Sequence, residues 1–591
     1  MTLSYIFTKK KANPYPPSLP ISIPPLLEIM FFSYKHFRKL TAAVTFSANA
    51  ADAADAADAA DGAGSYGAGR GAASAEAAAH VSAAALTAKH PKEPWLKKWW
   101  VAISSICSGG GHGNSIDTLA ADFSEQVPTN LQRLVLGLRH NLETLGDAAI
   151  EEMPTDAKLE AWACMIYESM SATSRFFHFV EHIYDISEGA DPIQTLSAYW
   201  HDVVYYGVDG GLSSAQTKIL EGIVTEKDGK LLLNDVGHDP LISMVVSVFG
   251  MKPFRELNPS KGLNEFLSAA IAARCLSGTL KSEYLLRIVA CIEATIPFVG
   301  VNSNGESRGE ALYKRLLATR NAFSIDVTDD DLVHATQQAL IQANRDTGNF
   351  AGGDPAVFLA HTWNLLPENN KPFRETRVFR ISYYKEAMLK MLGFFEFLDP
   401  ALIFERFRGV PDDEDYNGMI SRARENVRIA KTYLRCKLLS IAVLEALAQQ
   451  TGGDAPISLF VGDLHNAKRP SPTIEQYLHN SIPAETDGVY IDEAVLHILR
   501  DGRPGSTSFD TARSPLGAYL YSVIGEEGLK QSSNFSKLPM DEKNAKELLN
   551  SLPPATIHKI AKACAKIATT RACALEAIAE EYAASEVYSI S

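Results

Sequence analysis

The sequence predicts an all-α protein, and three observations carry that prediction. From about residue 128, apolar residues recur every three or four positions in segments such as NLQRLVLGLRHNLETL and DDDLVHATQQALIQANRD. That is the period of a helix with one buried face. Gly-, Pro- and Asn-rich breaks separate the segments. Strand signals are few and short, and LFVG at 459–462 is the strongest of them.

At 591 residues the chain is too long for one small core, so more than one domain is expected. Residues 1–90 are expected to be a disordered, low-complexity extension. Its Ala/Gly-rich stretch carries Asp52, Asp55, Asp58 and Asp61 at every third position, a period that builds no packed face. The first fifty residues are basic and acid-poor, a weak pattern for organelle targeting. Residues 91–127 read as a linker. The SGGGHG within it lacks the Lys-Ser/Thr ending and following helix of a phosphate loop. Residues 128–375 form the expected metal-binding helical domain. Residues 376–465 supply helices that pack on it, and 466–591 a C-terminal helical region ending in an Ala-rich helix pair or one long helix.

Composition narrows the function. A net charge of −14, with no long Lys/Arg block after residue 100, shows no clear nucleic-acid surface. No stretch reaches the roughly 18 apolar residues of a membrane span. Seven scattered cysteines without a CxxC pair fit an intracellular, reduced compartment.

The chemistry-bearing region is RFFHFVEH, followed by YWHDVVYYG. His178 and His182 are spaced to share one helix face. His201 and Asp202 stand side by side among aromatic residues, and both can reach one ion placed near a helix end. Imidazole nitrogen with carboxylate oxygen suits a hydrolytic divalent metal better than a thiolate-loving one. Singly, each residue has an ordinary structural use, such as a cap or a helix contact. Their weight comes from occurring together.

In order, RFFH…H, Tyr199-Trp200-His201-Asp202-Val203-Val204-Tyr205, Asn264-Glu265 with Ser268-Ala269, and IEAT resemble the HD-domain phosphohydrolases over roughly residues 170–350. The resemblance implies an HD-like helical bundle with additional C-terminal helices. It implies one divalent ion (Mn²⁺, Fe²⁺, Mg²⁺ or Zn²⁺) on His182, His201, Asp202 and a distal aspartate. It further implies His178 as an acid or orienting group and Glu265 as the carboxylate that orients or deprotonates water. Arg175, expected on the His178 helix, is a candidate phosphate clamp. For the distal aspartate, Asp346 on an apolar helix stripe is preferred to Asp331, whose cluster reads as a helix start after Thr328.

The implied activity is hydrolysis of a phosphomonoester or phosphodiester in a small, nucleotide-like phosphorylated substrate. Two other readings stand beside it. One is a helical interaction protein that keeps the fold without catalysis. The other is a di-iron oxygenase, which needs His238 and His334 beside the other ligands. About sixty residues between Asp202 and Asn264 suggest an insertion or lid over the site, and HTWNLLPENNKPFRETRVFR reads as a loop able to roof it.

Overall fold

The computed structural model describes residues 128–589 except 377, 464–471, 479–488, 506 and 508. The expected disordered extension, the linker and the SGGGHG run lie outside the described residues. The described chain is mostly helical, and none of its helices is long and apolar enough to cross a membrane.

Helices α1 (Asn130–Leu145) and α2 (Asp156–Met170) pack on one another, started by the side-chain caps Thr129 and Thr155. The short α3 (Val180–Ser187) leads into α4 (Pro192–Trp200), which opens on an Asp191/Gln194 capping box with Pro192 in its first turn. Next come the strands β1 (Val224–Lys227) and β2 (Lys230–Leu233), then α5 (Pro240–Phe249) and α6 (Leu263–Leu276). They are followed by α7 (Ser282–Ala294), α8 (Arg308–Phe323) and α9 (Asp329–Asp346). One apolar core runs from Leu134 to Ala343 through these helices and takes in Phe407. Helix α7 lies at its centre, packed against α4, α5, α6 and α9.

A second core runs from Phe350 to Tyr582. It begins with α10 (Pro355–Trp363) and α11 (Leu365–Asn369), so the apolar residues of 350–375 belong to this core and not to the first. Then follow α12 (Ile381–Phe397), the 39-residue α13 (Asp413–Thr451), α14 (Glu493–Asp501) and α15 (Pro515–Ser536). Helices α16 (Glu542–Asn550), α17 (Pro554–Ala565) and α18 (Ala572–Ser589) complete it. Helix α13 is about 58 Å long at 1.5 Å per residue. Cys436–Ala448 is buried on every side, as expected of a helix that others surround. The Ala-rich C-terminal segment is a helix pair.

Three expectations are corrected. LFVG is a helical turn, Ser458–Val461. The strands are instead β1 and β2, a hairpin that is the only sheet among the described residues, with Val224 opposite Leu233. Its turn is Asp228-Gly229, both at positive φ, the residue pair that a tight hairpin turn favours. The insertion between Asp202 and Asn264 is in part core and not a lid. Its helix α5 packs on α6, α7 and α8 with Ile242, Val245 and Val248 wholly buried. The segment expected as a roofing loop is helical, and it supplies a side chain to the site described next.

Candidate metal centre

His182, His201 and Asp346 bring ligand atoms within 4.8 Å of one another, a group able to hold a metal ion. Each comes from a helix. His182 is in the first turn of α3, His201 ends α4, and Asp346 is the last residue of α9. His182 Nε2 lies 3.0 Å from Asp346 Oδ1. His201 Nε2 lies 3.0 Å from Asp202 Oδ2 and 3.4 Å from Asp346 Oδ1, yet neither contact has hydrogen-bond geometry.

The tautomer of His201 is readable from its other nitrogen. Nδ1 is 2.8 Å from the Ala198 carbonyl, which can only accept, so Nδ1 carries the proton. In the neutral ring Nε2 is then a bare lone pair facing two carboxylates. A lone pair facing two carboxylates fits a cation, and a backbone carbonyl behind a histidine is the usual way to orient a metal ligand. Without a cation the cluster holds protons instead. Burial would lower the His201 pKa, but the Asp202 and Asp346 carboxylates lift it well above its ordinary value. Burial likewise works against ionising Asp202 and Asp346, and the histidines around them hold both carboxyls well below the usual range.

The motif after the histidine–aspartate pair acts through its backbone. Val204 N–H donates to Ser268 Oγ at 3.0 Å, and Tyr206 N–H donates to Asn264 Oδ1 at 3.0 Å. Asn264 and Ser268 thus tie the chain leaving Asp202 to the start of α6. Glu265 stands between them in the same turn, and its Oε2 is buried without a hydrogen-bond partner. Burial pushes its carboxyl up to about 7; its own backbone N–H opposes the shift, and the Asp202 and Asp346 charges add to it. The turn begins at Gly262, φ +82°, where a Cβ would come within 2.4 Å of Ile296 Cδ1.

His178 is placed differently from expectation. It precedes α3, whose N-cap is Phe179, so it shares no helix face with His182. Its ring is nonetheless edge-on to His182, 5.9 Å between centroids, and 4.7 Å from the Tyr205 ring. The residue that puts it there is Glu368 of α11. Glu368 Oε1 accepts the N–H groups of Phe176, Phe177 and His178 at 2.8, 2.7 and 3.1 Å, and Oε2 receives His178 Nδ1 at 2.8 Å. Burial would lower the His178 pKa, but Glu368 and then Asp202 raise it above its ordinary value. Sequence reasoning missed Glu368. The available signal was an acid inside the apolar turn LLPEN, since a carboxylate in such a setting needs a partner.

Arg175 is also corrected. It is off any helix, and its side chain is fully buried. Its fork bonds Asp209 twice, at 3.1 and 2.6 Å, and the Asp202 carbonyl at 2.6 Å. No edge of the guanidinium is left for a phosphate. It braces the backbone of Asp202 instead. Arg175→Lys keeps the charge and loses the fork. We expect the change to cost about 2 kcal/mol or more in urea unfolding. A phosphate clamp would instead show as a raised KM with stability unchanged.

Asp331 belongs to the Thr328 capping box, at the far end of α9 from Asp346 and about 22 Å along the axis at 1.5 Å per residue. His238 and His334 are both exposed, and His334 meets Arg287 at 3.2 Å. Neither belongs to the ligand group, so the arrangement a di-iron oxygenase needs is not formed. Comparison of the chain with protein-family models, with curated proteins and with solved structures finds no match to any of them.

Proposed function

We propose that this chain is a metal-dependent phosphohydrolase of the HD type, cleaving a phosphomonoester or phosphodiester in a small, nucleotide-like substrate. The observation that carries the reading is the convergence of His182, His201 and Asp346, with His201 Nε2 facing the Asp202 and Asp346 carboxylates without hydrogen-bond geometry. Support for the HD type comes from the order of the motif residues along the chain and from the work Asn264 and Ser268 do behind Asp202. His182, His201 and Asp346 would hold one divalent ion, with Asp202 as the fourth donor. A bound ion of this kind polarises a phosphoryl oxygen and acidifies water.

The protein's own groups would manage the protons. Glu265, poised near neutrality, would accept the proton of the attacking water. His178 would carry a proton to the leaving oxygen, with its Nδ1 held by Glu368 so that Nε2 is the free edge. The test is metal content of the purified protein by mass spectrometry, beside a phosphatase and phosphodiesterase screen. One ion per chain, lost in His182→Ala together with hydrolysis, is the expected result. Metal without turnover on any phosphate ester would point to a non-catalytic interaction protein. No metal after Mn²⁺ loading would sink the proposal.

Glu265 gives a prediction with a definite sign. Its folded pKa lies above its ordinary 4.5, so ionising it costs more in the folded state. The metal-free protein therefore loses stability as pH rises from 4.5 to 7, and the loss is complete above that. A shift of this size corresponds to about 3 kcal/mol. Glu265→Gln should be the more stable protein by up to that amount at pH 8 (roughly one unit above the shifted value) and lose the advantage toward acid pH. A bound cation would favour the ionised form and shrink the difference. Denaturant unfolding at several pH values, with and without metal, checks both statements.

A further inference from the structure

The second core contains charges that the metal centre does not use. Asp510 Oδ2 accepts from Trp363 Nε1 at 2.9 Å, Lys437 Nζ at 2.6 Å and an Arg503 guanidinium N–H at 2.8 Å. Lys437, Arg503 and Asp510 are each no more than 5% exposed. Both cations also lie against the Trp363 ring, 5.2 and 4.2 Å from its centroid. Within this cluster two buried cations face one carboxylate, an excess of positive charge that is costly in an apolar interior unless something balances it.

A cavity of about 150 Å³ opens beside this cluster, lined by Lys437, Asp510 and Tyr384 and walled by Ile441, Leu444 and Leu516. Tyr384 is 2% exposed, and its hydroxyl makes no well-directed hydrogen bond. Helix α15 also begins on this wall, at Ser514-Pro515, and the Ser514 side chain does not cap it. An uncapped helix start presents N–H groups and the positive end of the helix dipole. Two further acids, Asp463 and Glu475, line this cavity. Asp463 is exposed, and Glu475 pairs with Arg513 at 2.8 Å.

We propose that this cavity binds a small organic monoanion, a carboxylate on an apolar body of about benzene size. The carboxylate would face Lys437, the Tyr384 hydroxyl and the start of α15, and the body would fill the space between Ile441, Leu444 and Leu516. One negative charge completes the buried balance, whereas a phosphate dianion exceeds it. The volume matches, since an apolar cavity of about 150 Å³ takes a benzene ring.

The test uses the full chain and 4-fluorobenzoate, followed by ¹⁹F NMR line broadening, with benzoate, cyclohexanecarboxylate, benzamide and inorganic phosphate as competitors. The two carboxylates should displace the probe, and benzamide and phosphate should not. Lys437→Met leaves an electroneutral Arg503–Asp510 pair and should weaken binding about thirtyfold or more. Leu444→Trp, which fills the cavity and keeps every charge, should abolish it. The competition needs no variant, so it stands even if one of them fails to fold. Absence of probe binding overturns the proposal. So does displacement by benzamide, which would mark a merely apolar cavity, or by phosphate, which would mark a simple anion site. Binding that survives in Leu444→Trp would place the probe elsewhere and equally overturn it.

Discussion

Asp346→Asn is expected to abolish metal binding at this cluster while leaving the fold standing. The side chain keeps its shape and one acceptor oxygen, so the end of α9 has no reason to move. What changes is the donor set. Asp346 Oδ1 is the atom that both His182 Nε2 and His201 Nε2 approach, at 3.0 and 3.4 Å. An amide offers no charge to offset a cation there, and its N–H₂ can turn toward the imidazoles and take their lone pairs. Changing residues that merely support ligands costs about 10–100-fold in metal affinity, so loss of a ligand should exceed about a hundredfold. Asp331→Asn is the control, because that carboxylate serves only the start of the same helix. Equilibrium dialysis against Mn²⁺ or Zn²⁺ separates the two. Equal affinity in wild type and Asp346→Asn would remove Asp346 from the site. Binding should also weaken toward acid pH in the wild type, because His182 and His201 must be neutral to coordinate.

The largest effect on stability is expected from Glu368→Ala. Glu368 is 3% exposed and one of its oxygens gathers three successive backbone N–H groups, while the other holds His178. Removing it leaves those partly buried donors with no acceptor and the chain ahead of α3 without its anchor. Breaking a buried charged partnership of this kind costs about 3–5 kcal/mol. Unfolding by denaturant measures the loss. A cost below 1 kcal/mol, roughly the worth of one ordinary hydrogen bond, would mean that the three contacts are incidental. Glu368→Gln keeps an acceptor for the N–H groups and loses the charge beside His178. It should fold, retain metal and lose turnover, separating the anchoring role from the effect on His178. Because Glu368 lies in the second core's sequence and acts on the first, the site should not survive truncation before α11.

Much of the site was legible because its signal is local. His201-Asp202 and Asn264-Glu265 with Ser268 are short strings whose residue types announce polar work in apolar surroundings. His182 belongs with them, although its spacing from His178 does not mark a shared helix face. Choosing Asp346 over Asp331 was also possible from sequence. Thr328 followed by three aspartates explains itself as a capped helix start, whereas an acid on an apolar stripe asks for a partner. Arg175 and Glu368 were not legible in the same way. Whether a buried arginine meets a substrate or a carbonyl, and which of many acids reaches back across 190 residues to His178, depends on contacts that leave no periodic trace.

The sequence by itself determined the helical class, the position of the polar cluster within it and the chemistry that His, His and Asp can offer. These follow from periodicity and residue type, which act over a few neighbours. Tertiary structure alone decided that α5, within 203–262, packs into the core, that the hairpin sits at Asp228-Gly229 and that the Arg175 fork is taken up by Asp209 and the Asp202 carbonyl. It also decided that the second core closes the first through Glu368. In each case burial and charge pairing between distant segments chose among locally equivalent options, and a buried polar group accepts only the arrangement that satisfies it.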